Sequence, residues 1–401
     1  MSGSSARNLA PADGPEQAAQ LLVPIDKRAL HRLGFSALSD HHSAGIAVTL
    51  DAPLQRALQL LAQGASLSRE AAAEAFAVLM RGEGTPVQCA ALLMGLRAKG
   101  ETADELAGAA GALRSAMLAI AVDRRDQLVD TCGTGGGRVG TLNISTAAAL
   151  VAAGAGIPVA KHGNRSYTSR SGSADVLEAL GIDITLAPER AAQVLEHAGI
   201  VFLFAPLYHP AMRHLAPIRK ELAVPTIMNL LGPLANPAGV GRQVIGVSDG
   251  DRAPLVAQAL ARLGARHALV LHGMVGMDEI SPCGATRVWE VREREILTWE
   301  LDPMRFGLHS DELSKLAGSG PAENAAAIER VLAGKSDGIV RSAVLLNTAA
   351  ALYVSGNGWS IEESIARATD ALDRGEGSRA LARLRAASAA QYLRMTPTTT
   401  P

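Results

Sequence analysis

Net charge is the first property that this chain lacks. Its 401 residues include 38 Lys plus Arg and 39 Asp plus Glu, which leaves a formal charge of −1. Such a balanced chain has no long-range field that would attract nucleic acid or an anionic membrane. We therefore expect small molecules as its partners, with no nucleic acid and no membrane.

Cysteines and long apolar runs are also scarce. The three cysteines, Cys89, Cys132 and Cys283, are widely separated, which argues against both a disulfide framework and a zinc site. No apolar run approaches the roughly 20 residues that a membrane-spanning helix needs, and the N-terminus lacks the pattern of a signal peptide. These absences predict a protein of the reducing cytoplasm.

Length and local composition divide the chain into parts. Two domains are expected, because single cores stop growing at roughly 250 to 300 residues. Residues 1–50, rich in Ser, Ala, Gly and Pro, predict a flexible extension. Residues 51–121 predict a helical domain with a structural or oligomerising role, because apolar residues recur at helical spacing and capping boxes begin at Thr85 and Thr102.

The sequence pattern changes after residue 121 and predicts an α/β domain over residues 122–390. Residues 391–401 are predicted to form a flexible tail. Short apolar runs alternate there with helical stretches. The predicted strands are Leu128 to Thr131, Ile157 to Ala160, Ile200 to Phe204, Val244 to Val247 and Ala268 to Leu271. This alternation indicates a mostly parallel sheet covered on both faces, with ligands at the carboxyl ends of its strands.

A glycine-rich loop, Gly133 to Gly137, follows the first predicted strand. Polar side chains then open a helix: Thr141, Asn143, Ser145 and Thr146. Glycines let backbone N–H groups approach a phosphate, and a helix N-terminus adds donors and partial positive charge. A simple strand-to-helix turn is the alternative, but the clustered polar side chains favour an anion site.

A basic segment, Lys161 to Arg165, follows the second predicted strand. A lysine at the carboxyl end of a strand can reach the same crevice and supply a full charge to phosphate. We predict that Lys161 binds the phosphate and rank it above His162, because a lone histidine is more often structural.

Two adjacent carboxylates, Asp278 and Glu279, follow the last predicted strand. They predict a magnesium site, since Mg²⁺ takes hard oxygen ligands and bridges to phosphate oxygens. An isolated Asp-Glu pair is more often a solvated turn, but the predicted anion sites here need a compensating cation.

Basic residues between Tyr208 and Asn236 include Arg213, Arg219 and Lys220. A guanidinium group could hold the carboxylate of a second substrate, because it binds such a group with two hydrogen bonds. Spacing alone does not distinguish Arg219 from Arg213.

Taken together, these motifs resemble the anthranilate phosphoribosyltransferase family. The matching stretches are the glycine loop, Lys161 to Arg165 with Ser171 to Gly181, Tyr208 to Met212, Leu230 to Pro237, and Met277 to Ser281. The similarity runs from about residue 53 to 385. It implies a nucleoside phosphorylase/phosphoribosyltransferase-like fold, with about residues 207–225 adding to the helical domain and a homodimer formed through that domain.

The resemblance implies a reaction in tryptophan biosynthesis. The phosphoribosyl group of 5-phosphoribosyl 1-pyrophosphate (PRPP) would pass to anthranilate, giving N-(5-phosphoribosyl)anthranilate and pyrophosphate. Lys161 and Arg219 would be catalytic, with Arg219 at the anthranilate carboxylate. PRPP would be bound by Gly133, Gly136, Gly137, Thr141, Asn143, Ser145, Thr146, Lys161, His162 and Gly163. Anthranilate would meet Gly133, His162, Asn164, Tyr208, His209, Arg219 and Pro233, and Mg²⁺ would meet Ser145, Asp278 and Glu279.

The chain departs from the family pattern at three positions. Gly137 stands where the family's glycine motif ends in aspartate, and Tyr167 and Thr168 replace a small residue and a serine. The missing carboxylate is expected to alter metal occupancy or the contact with anthranilate.

Two other functions fit parts of the sequence. A pyrimidine nucleoside phosphorylase shares this architecture and a glycine loop, but we do not find its own phosphate and base motifs. A non-catalytic nucleic-acid-binding relative is favoured only by the missing aspartate. The balanced charge and the presence of Lys161, Asp278 and Glu279 argue against it.

Overall fold

The computed structural model describes residues 52–137, 139–166, 170–336 and 338–389. The predicted flexible extension, residues 1–50, and the predicted tail, residues 391–401, lie outside the described residues, as do Tyr167 and Thr168. Within the described ranges, no helix is both long and apolar enough to cross a membrane.

A group of helices precedes the sheet. They are α1 (Pro53–Ala62), α2 (Arg69–Met80), α3 (Pro86–Lys99) and α4 (Ala103–Ala116). Both predicted capping boxes are confirmed: the N–H groups of Gln88 and Glu105 donate to the Thr85 and Thr102 hydroxyls at 3.2 and 3.3 Å. Helix α3 ends before Gly100, its C-cap residue, which has a φ of 89°. The cap residues therefore determine where these helices begin and end.

The described residues form one seven-stranded sheet. Its strands are β1 (Val129–Gly133), β2 (Val159–Gly163), β3 (Ile200–Phe204), β4 (Arg242–Gly246), β5 (His267–Gly273), β6 (Thr286–Arg292) and β7 (Glu295–Leu301). The order is β3-β2-β1-β4-β5-β6-β7, parallel from β3 to β5 and antiparallel beyond. The five predicted strands correspond to β1 to β5, so the mostly parallel sheet is confirmed.

The hairpin of β6 and β7 is not predicted by apolar runs. Buried and exposed residues mix along β6, and most side chains of β7 are exposed at the edge of the sheet. Half-buried antiparallel strands have this mixed composition. A search for continuous apolar stretches therefore overlooks them.

Helices cover both faces of the sheet. They are α5 (Ile144–Gly154), α6 (Ser173–Ala179), α7 (Pro188–Ala198), α8 (Ala205–Tyr208), α9 (Ala216–Leu222), α10 (Met228–Leu234), α11 (Ala253–Arg262), α12 (Pro321–Leu332), α13 (Ile339–Val354), α14 (Ile361–Asp373) and α15 (Glu376–Ser388). Helices α5 and α12 to α15 share an apolar cluster with Val129 and Val244. Helices α1 to α4 and α11 share another with Ile245 and Val270. Successive strand residues face opposite sides, so the helices of the N-terminal group close one face of the sheet.

Two glycines of α4 test how closely the helices pack. A Cβ at Gly108 would lie 2.3 Å from the Arg69 carbonyl oxygen, whereas one at Gly111 would have no neighbour within 4 Å. We predict that Gly108→Ala lowers the free energy of unfolding by about 1–3 kcal/mol, because α2 and α4 must move apart. Gly111→Ala, the matched control, should raise it by up to about 1 kcal/mol, because alanine favours the helix. Urea denaturation measures both, and an unchanged stability for Gly108→Ala would contradict the close packing.

Candidate active site

The predicted motifs meet at the carboxyl edge of the parallel strands. β1, β2, β4 and β5 end there at Gly133, Gly163, Gly246 and Gly273, which is where ligands bind in sheets of this kind. Thr141, which follows the glycine loop, and Glu279 of the acidic pair are 138 positions apart in sequence but in contact: the Thr141 hydroxyl donates to Glu279 Oε2 at 2.8 Å.

Glycine residues allow the acidic pair to lie against the phosphate loop, the name we give to the described residues between the end of β1 and the start of α5. A Cβ at Gly246 would lie 1.6 Å from the Asp278 carbonyl oxygen, and one at Gly133 would lie 3.2 Å from Asp278 Oδ2. Any side chain at Gly246 would therefore displace Asp278. Gly246 is absent from the predicted site, although a glycine inside an apolar strand run, here Val244 to Val247, is a sequence signal for such close approach.

Gly137 also lies beside the acidic pair. A Cβ at this position would lie 3.1 Å from Asp278 Oδ1. The aspartate of the family pattern would therefore extend from a point next to Asp278, and like-charge repulsion would raise the pKa of that acid. With glycine, this part of the site carries one carboxylate fewer.

Burial raises the pKa of both acids. The pKa of Asp278 is raised mainly by burial, and the pKa of Glu279 is raised to about 8 by burial first and by the charge of Asp278 second. The N–H of Ser145 donates to Glu279 Oε1 at 3.2 Å, so both carboxylate oxygens of Glu279 accept hydrogen bonds from the phosphate loop and its helix. A bound cation would favour the ionised form of both acids, because it would offset their burial and their mutual repulsion.

The acidic pair fits a magnesium ion. Among the described residues, no three His, Cys, Asp or Glu side chains form a group that could hold a metal. Mg²⁺ does not require one, because it keeps several waters and is bound by one or two carboxylates together with substrate phosphates. Asp278 and Glu279 could supply the protein's share of such a site, together with Ser145, whose backbone N–H donates to Glu279.

Lys161 lies inside the protein between β1 and the start of α5. Its side chain is only 3% exposed, and its ammonium group donates to the Thr131 carbonyl oxygen and, at 3.2 Å, to Ser145 Oγ. Burial lowers the pKa of Lys161, while the nearby Asp130 opposes this shift. The Lys161 ammonium group therefore lies beneath the N-terminus of α5 and in contact with Ser145.

Asp130 and Asn236 form a buried support that the sequence interpretation did not assign to the site. Asp130 accepts from the backbone N–H of His162 at 3.1 Å and from Asn236 Nδ2 at 2.8 Å. Asn236 Nδ2 also donates to the Ala160 carbonyl oxygen at 2.8 Å. A charged residue inside an apolar strand run was the available signal, because a buried charge requires partners.

His162 and His209 form a neutral pair. Their Nε2 atoms are 3.2 Å apart, and His162 Nδ1 lies 3.2 Å from the Gly232 carbonyl oxygen. Burial lowers the pKa of His162 to about 3 and that of His209 to about 4. His162 Nδ1 therefore carries a proton and donates to Gly232, and the pair is uncharged at neutral pH.

Three more of the predicted site residues have buried side chains. Tyr208 is fully buried, and its hydroxyl donates to the Leu186 carbonyl oxygen at 2.8 Å. The Thr146 hydroxyl is buried and borders a small internal cavity, and Pro233 is buried within α10. The side-chain oxygens of Tyr208 and Thr146 are therefore buried, and the assignment of both residues to the substrate site stays a prediction.

The basic residues after β3 differ in exposure. Arg219 is half-buried on α9, whereas Arg213 is exposed. The segment containing them packs against α2 and α3. Asn164 follows β2, is half-buried, and accepts the Arg165 N–H at 2.7 Å. Exposure therefore favours Arg219 over Arg213 as the better ordered guanidinium group.

Two family models match the chain. One, described as the a/b domain of a glycosyl transferase family, matches residues 125–378, and the other, described as the helical bundle domain of that family, matches residues 55–117. Among curated relatives, the anthranilate phosphoribosyltransferase of Rubrobacter xylanophilus is 47% identical over 330 residues, or 82% of this chain and 96% of the relative. That of Bradyrhizobium sp. strain BTAi1 is 48% identical over 328 residues, or 82% and 96%.

Solved structures agree with these matches. The anthranilate phosphoribosyltransferase of Thermus thermophilus has a TM-score of 0.78 and 45% identity, covering 82% of this chain and 98% of that one. The Saccharomyces cerevisiae enzyme, in complex with PRPP and Mg, has a TM-score of 0.76 and 31% identity, covering 84% and 98%. The small helical part and the larger α/β part are common to this chain and its relatives.

The raised pKa of Glu279 predicts a pH-dependent effect of Glu279→Gln. A carboxyl group whose pKa is about 8 in the folded protein costs no stability below about pH 4.5 and its full cost above about pH 8. Relative to the wild type without metal, Glu279→Gln should therefore become more stable between pH 5 and pH 9 by on the order of a few kcal/mol. Glutamine also loses one acceptor, which adds an offset independent of pH.

Chemical denaturation in the presence of a chelator, at a series of pH values, measures this trend. Glu362→Gln on the exposed face of α14 is the matched control and should show no such trend. A stability difference between Glu279→Gln and wild type that stays constant with pH would contradict the raised pKa.

Proposed function

The chain belongs to the anthranilate phosphoribosyltransferase family, and we propose that the carboxyl edge of its sheet is the active site. The enzyme transfers the phosphoribosyl group of PRPP to anthranilate in tryptophan biosynthesis. The products are N-(5-phosphoribosyl)anthranilate and pyrophosphate. The observation that carries this assignment is the 2.8 Å hydrogen bond from Thr141 to Glu279, which joins the phosphate loop to the acidic pair.

The phosphate end of PRPP is proposed to lie on the glycine loop and the first turn of α5. Gly133, Gly136 and Gly137 would supply backbone N–H donors, and Asn143 and Ser145 would add side-chain donors. Lys161 contributes a positive charge from beneath, because its ammonium group donates to Ser145 Oγ at 3.2 Å. Because Ser145 Oγ accepts this hydrogen bond, its own O–H group is left to donate to a phosphate, and its second lone pair could bind a metal.

Magnesium, when bound, neutralises the charge that develops on the departing pyrophosphate. The Saccharomyces cerevisiae relative is solved with PRPP and Mg, and Mg²⁺ is the cofactor of this reaction. We assign Asp278, Glu279 and Ser145 as the residues that would hold it. Thr141 and the Ser145 N–H keep the Glu279 carboxylate oriented for this purpose.

Catalysis rests on positioning and charge stabilisation. Pyrophosphate leaves the sugar carbon through an oxocarbenium-like state, so donors directed at the leaving group lower the barrier. The amine of anthranilate attacks as a neutral nucleophile, and no strong base is needed. His162 and His209 are uncharged because burial lowers the pKa of each. This pair therefore adds no positive charge that would oppose the oxocarbenium-like state.

The acceptor is proposed to enter between the histidine pair and α9. Arg219 would hold the anthranilate carboxylate with two charge-assisted hydrogen bonds. Asn164, His162, His209 and Pro233 are proposed to border this path. A Saccharomyces cerevisiae relative has been solved with 4-fluoroanthranilate, which supports a site for this acceptor in the family.

The enzyme is proposed to act as a cytoplasmic homodimer without nucleic-acid partners. The helical part exposes Val87 on α3 and Leu60 on α1, which are apolar side chains suited to contact a second copy. The three cysteines are unpaired, which suits a reducing compartment. The near-zero net charge supports the absence of a nucleic-acid partner.

Purified protein should consume anthranilate when PRPP and Mg²⁺ are present. Loss of anthranilate fluorescence measures the reaction, and a chelator should abolish it because the leaving group then lacks its cation. Absence of turnover at every magnesium concentration would contradict the proposed function.

Lys161→Ala and Arg219→Ala should weaken different substrates. Lys161→Ala should raise the KM for PRPP by about 10-fold or more, because it removes the positive charge beneath Ser145. Arg219→Ala should raise the KM for anthranilate by about 10-fold or more, because it removes a charge-assisted hydrogen bond to the carboxylate. Arg213→Ala, a neighbouring exposed arginine, is the control and should change neither. Lys161 lies beside buried Asp130, so circular dichroism must first establish the folded fraction. Equal effects of both variants on both substrates would contradict these roles.

A further inference from the structure

A distant segment lies along the outer side of the phosphate loop. We call residues 316–319, which begin at the last residue of the short 3₁₀ turn Leu313–Leu316, the backing segment. Thr141 and Ala317 form an antiparallel bridge, the Leu142 N–H donates to the Leu316 carbonyl at 2.9 Å, and the Gly318 N–H donates to the Gly140 carbonyl at 2.9 Å. The phosphate loop is therefore held by main-chain bonds to a part of the chain that has no predicted role in the site.

Asn324 joins this segment to the loop. It lies in the first turn of α12, and it is only 3% exposed. Its Oδ1 accepts the Ser319 N–H at 2.8 Å, and its Nδ2 donates to Asn143 Oδ1 at 3.0 Å. One buried side chain thus contacts both the backing segment and a proposed PRPP-binding residue.

The direction of these hydrogen bonds is determined at both ends. The Ser319 N–H can only donate, so the oxygen of Asn324 must face it and the NH₂ group must face Asn143. Asn143 therefore turns its own oxygen towards Asn324. At the other end its Nδ2 donates to the Ser171 carbonyl oxygen at 3.2 Å, a group that can only accept.

Asn143 consequently presents a donor, and not an acceptor, beside the Ser171 carbonyl. The Ser171 hydroxyl also lies 3.4 Å from Asn143 Oδ1, which further holds that oxygen on the side of Asn324. An Nδ2 group carries two hydrogens, and one bond to the Ser171 carbonyl leaves the second for a ligand. A reversed amide would face both that carbonyl and a bound phosphate with an oxygen, and both contacts would be repulsive.

We propose that Asn324 is a positioning residue that acts through Asn143: it sets the amide orientation in which Asn143 offers an N–H to the phosphate groups of PRPP. This inference rests on the proposed function, in which Asn143 belongs to the phosphate end of the site. Asn324 does not touch the substrate. Its effect passes through one hydrogen bond that spans 181 positions of sequence.

The test uses full-length protein and measures PRPP binding by calorimetry together with the KM of each substrate. Asn324→Ala should weaken PRPP binding and raise its KM by about 10-fold, because the donor of Asn143 is no longer oriented. The KM for anthranilate should stay within about 2-fold, because the acceptor does not contact Asn143. Asn357→Ala, an exposed asparagine after α13, is the matched control and should leave both substrates unchanged.

A double-mutant cycle separates positioning from general support of the fold. In the Asn143→Ala background, Asn324→Ala should weaken PRPP binding by less than about 2-fold, because the residue through which it acts is gone. An equal effect in both backgrounds, or an equal effect on both substrates, would overturn the proposal.

Asn324→Asp decides the question if the alanine variant does not fold. Aspartate keeps the acceptor for the Ser319 N–H but faces Asn143 with an oxygen, which favours the reversed amide of Asn143. We expect weaker PRPP binding, measured at a temperature at which circular dichroism shows the variant to be folded because a buried carboxylate lowers stability, and unchanged PRPP binding would overturn the proposal. Turnover by the wild type is measured separately: its absence would contradict the proposed function, whereas calorimetry tests the role of Asn324 in either case.

Discussion

The candidate active site depends on the close approach of backbone segments at glycine residues. At the end of β4, Gly246 allows the backbone of Asp278 to lie where any Cβ would overlap it, since that Cβ would lie 1.6 Å from the Asp278 carbonyl oxygen. Gly133 and Gly137 let the Asp278 carboxylate lie against the phosphate loop. Only glycine permits this approach without displacing a loop. The distance between the anion-binding loop and the acids proposed to hold the cation therefore follows from the absence of side chains at these glycines.

Buried asparagines then hold the loops that the glycines bring together. Asn236 bridges Asp130 and the end of β2, and Asn324 bridges the backing segment and Asn143. Asn347 on α13 holds both the N–H and the carbonyl of Ile280, directly after the acidic pair, at 3.0 Å each. An amide can donate and accept at once without adding charge. Neutral side chains thus orient a site whose ionised groups remain available to substrate and metal.

Charge is distributed unevenly across the site. The phosphate side combines a buried lysine, Lys161, with two acids whose pKa values are raised by burial. The proposed acceptor side has a histidine pair that burial keeps neutral. Binding of a cation and a diphosphate would compensate the first group, whereas a flat aromatic acceptor needs no charge except at its carboxylate. Gly137 stands where the resemblance leads us to expect an aspartate, so the phosphate side carries one carboxylate fewer than that pattern.

The sequence by itself determined the local features and the family. Strands β1 to β5, the capping boxes and the order of the motifs can be read from neighbouring residues, because apolar runs, caps and glycine loops are local patterns. Only the tertiary structure decided which way side chains point. Tyr208 turns its hydroxyl into the core, and Lys161 lies beneath the loop in contact with Ser145. It also decided the contact between Asn324 and Asn143, which lie 181 positions apart. The physical reason is that rotamers and long-range hydrogen bonds follow from packing against distant elements, which no local pattern records.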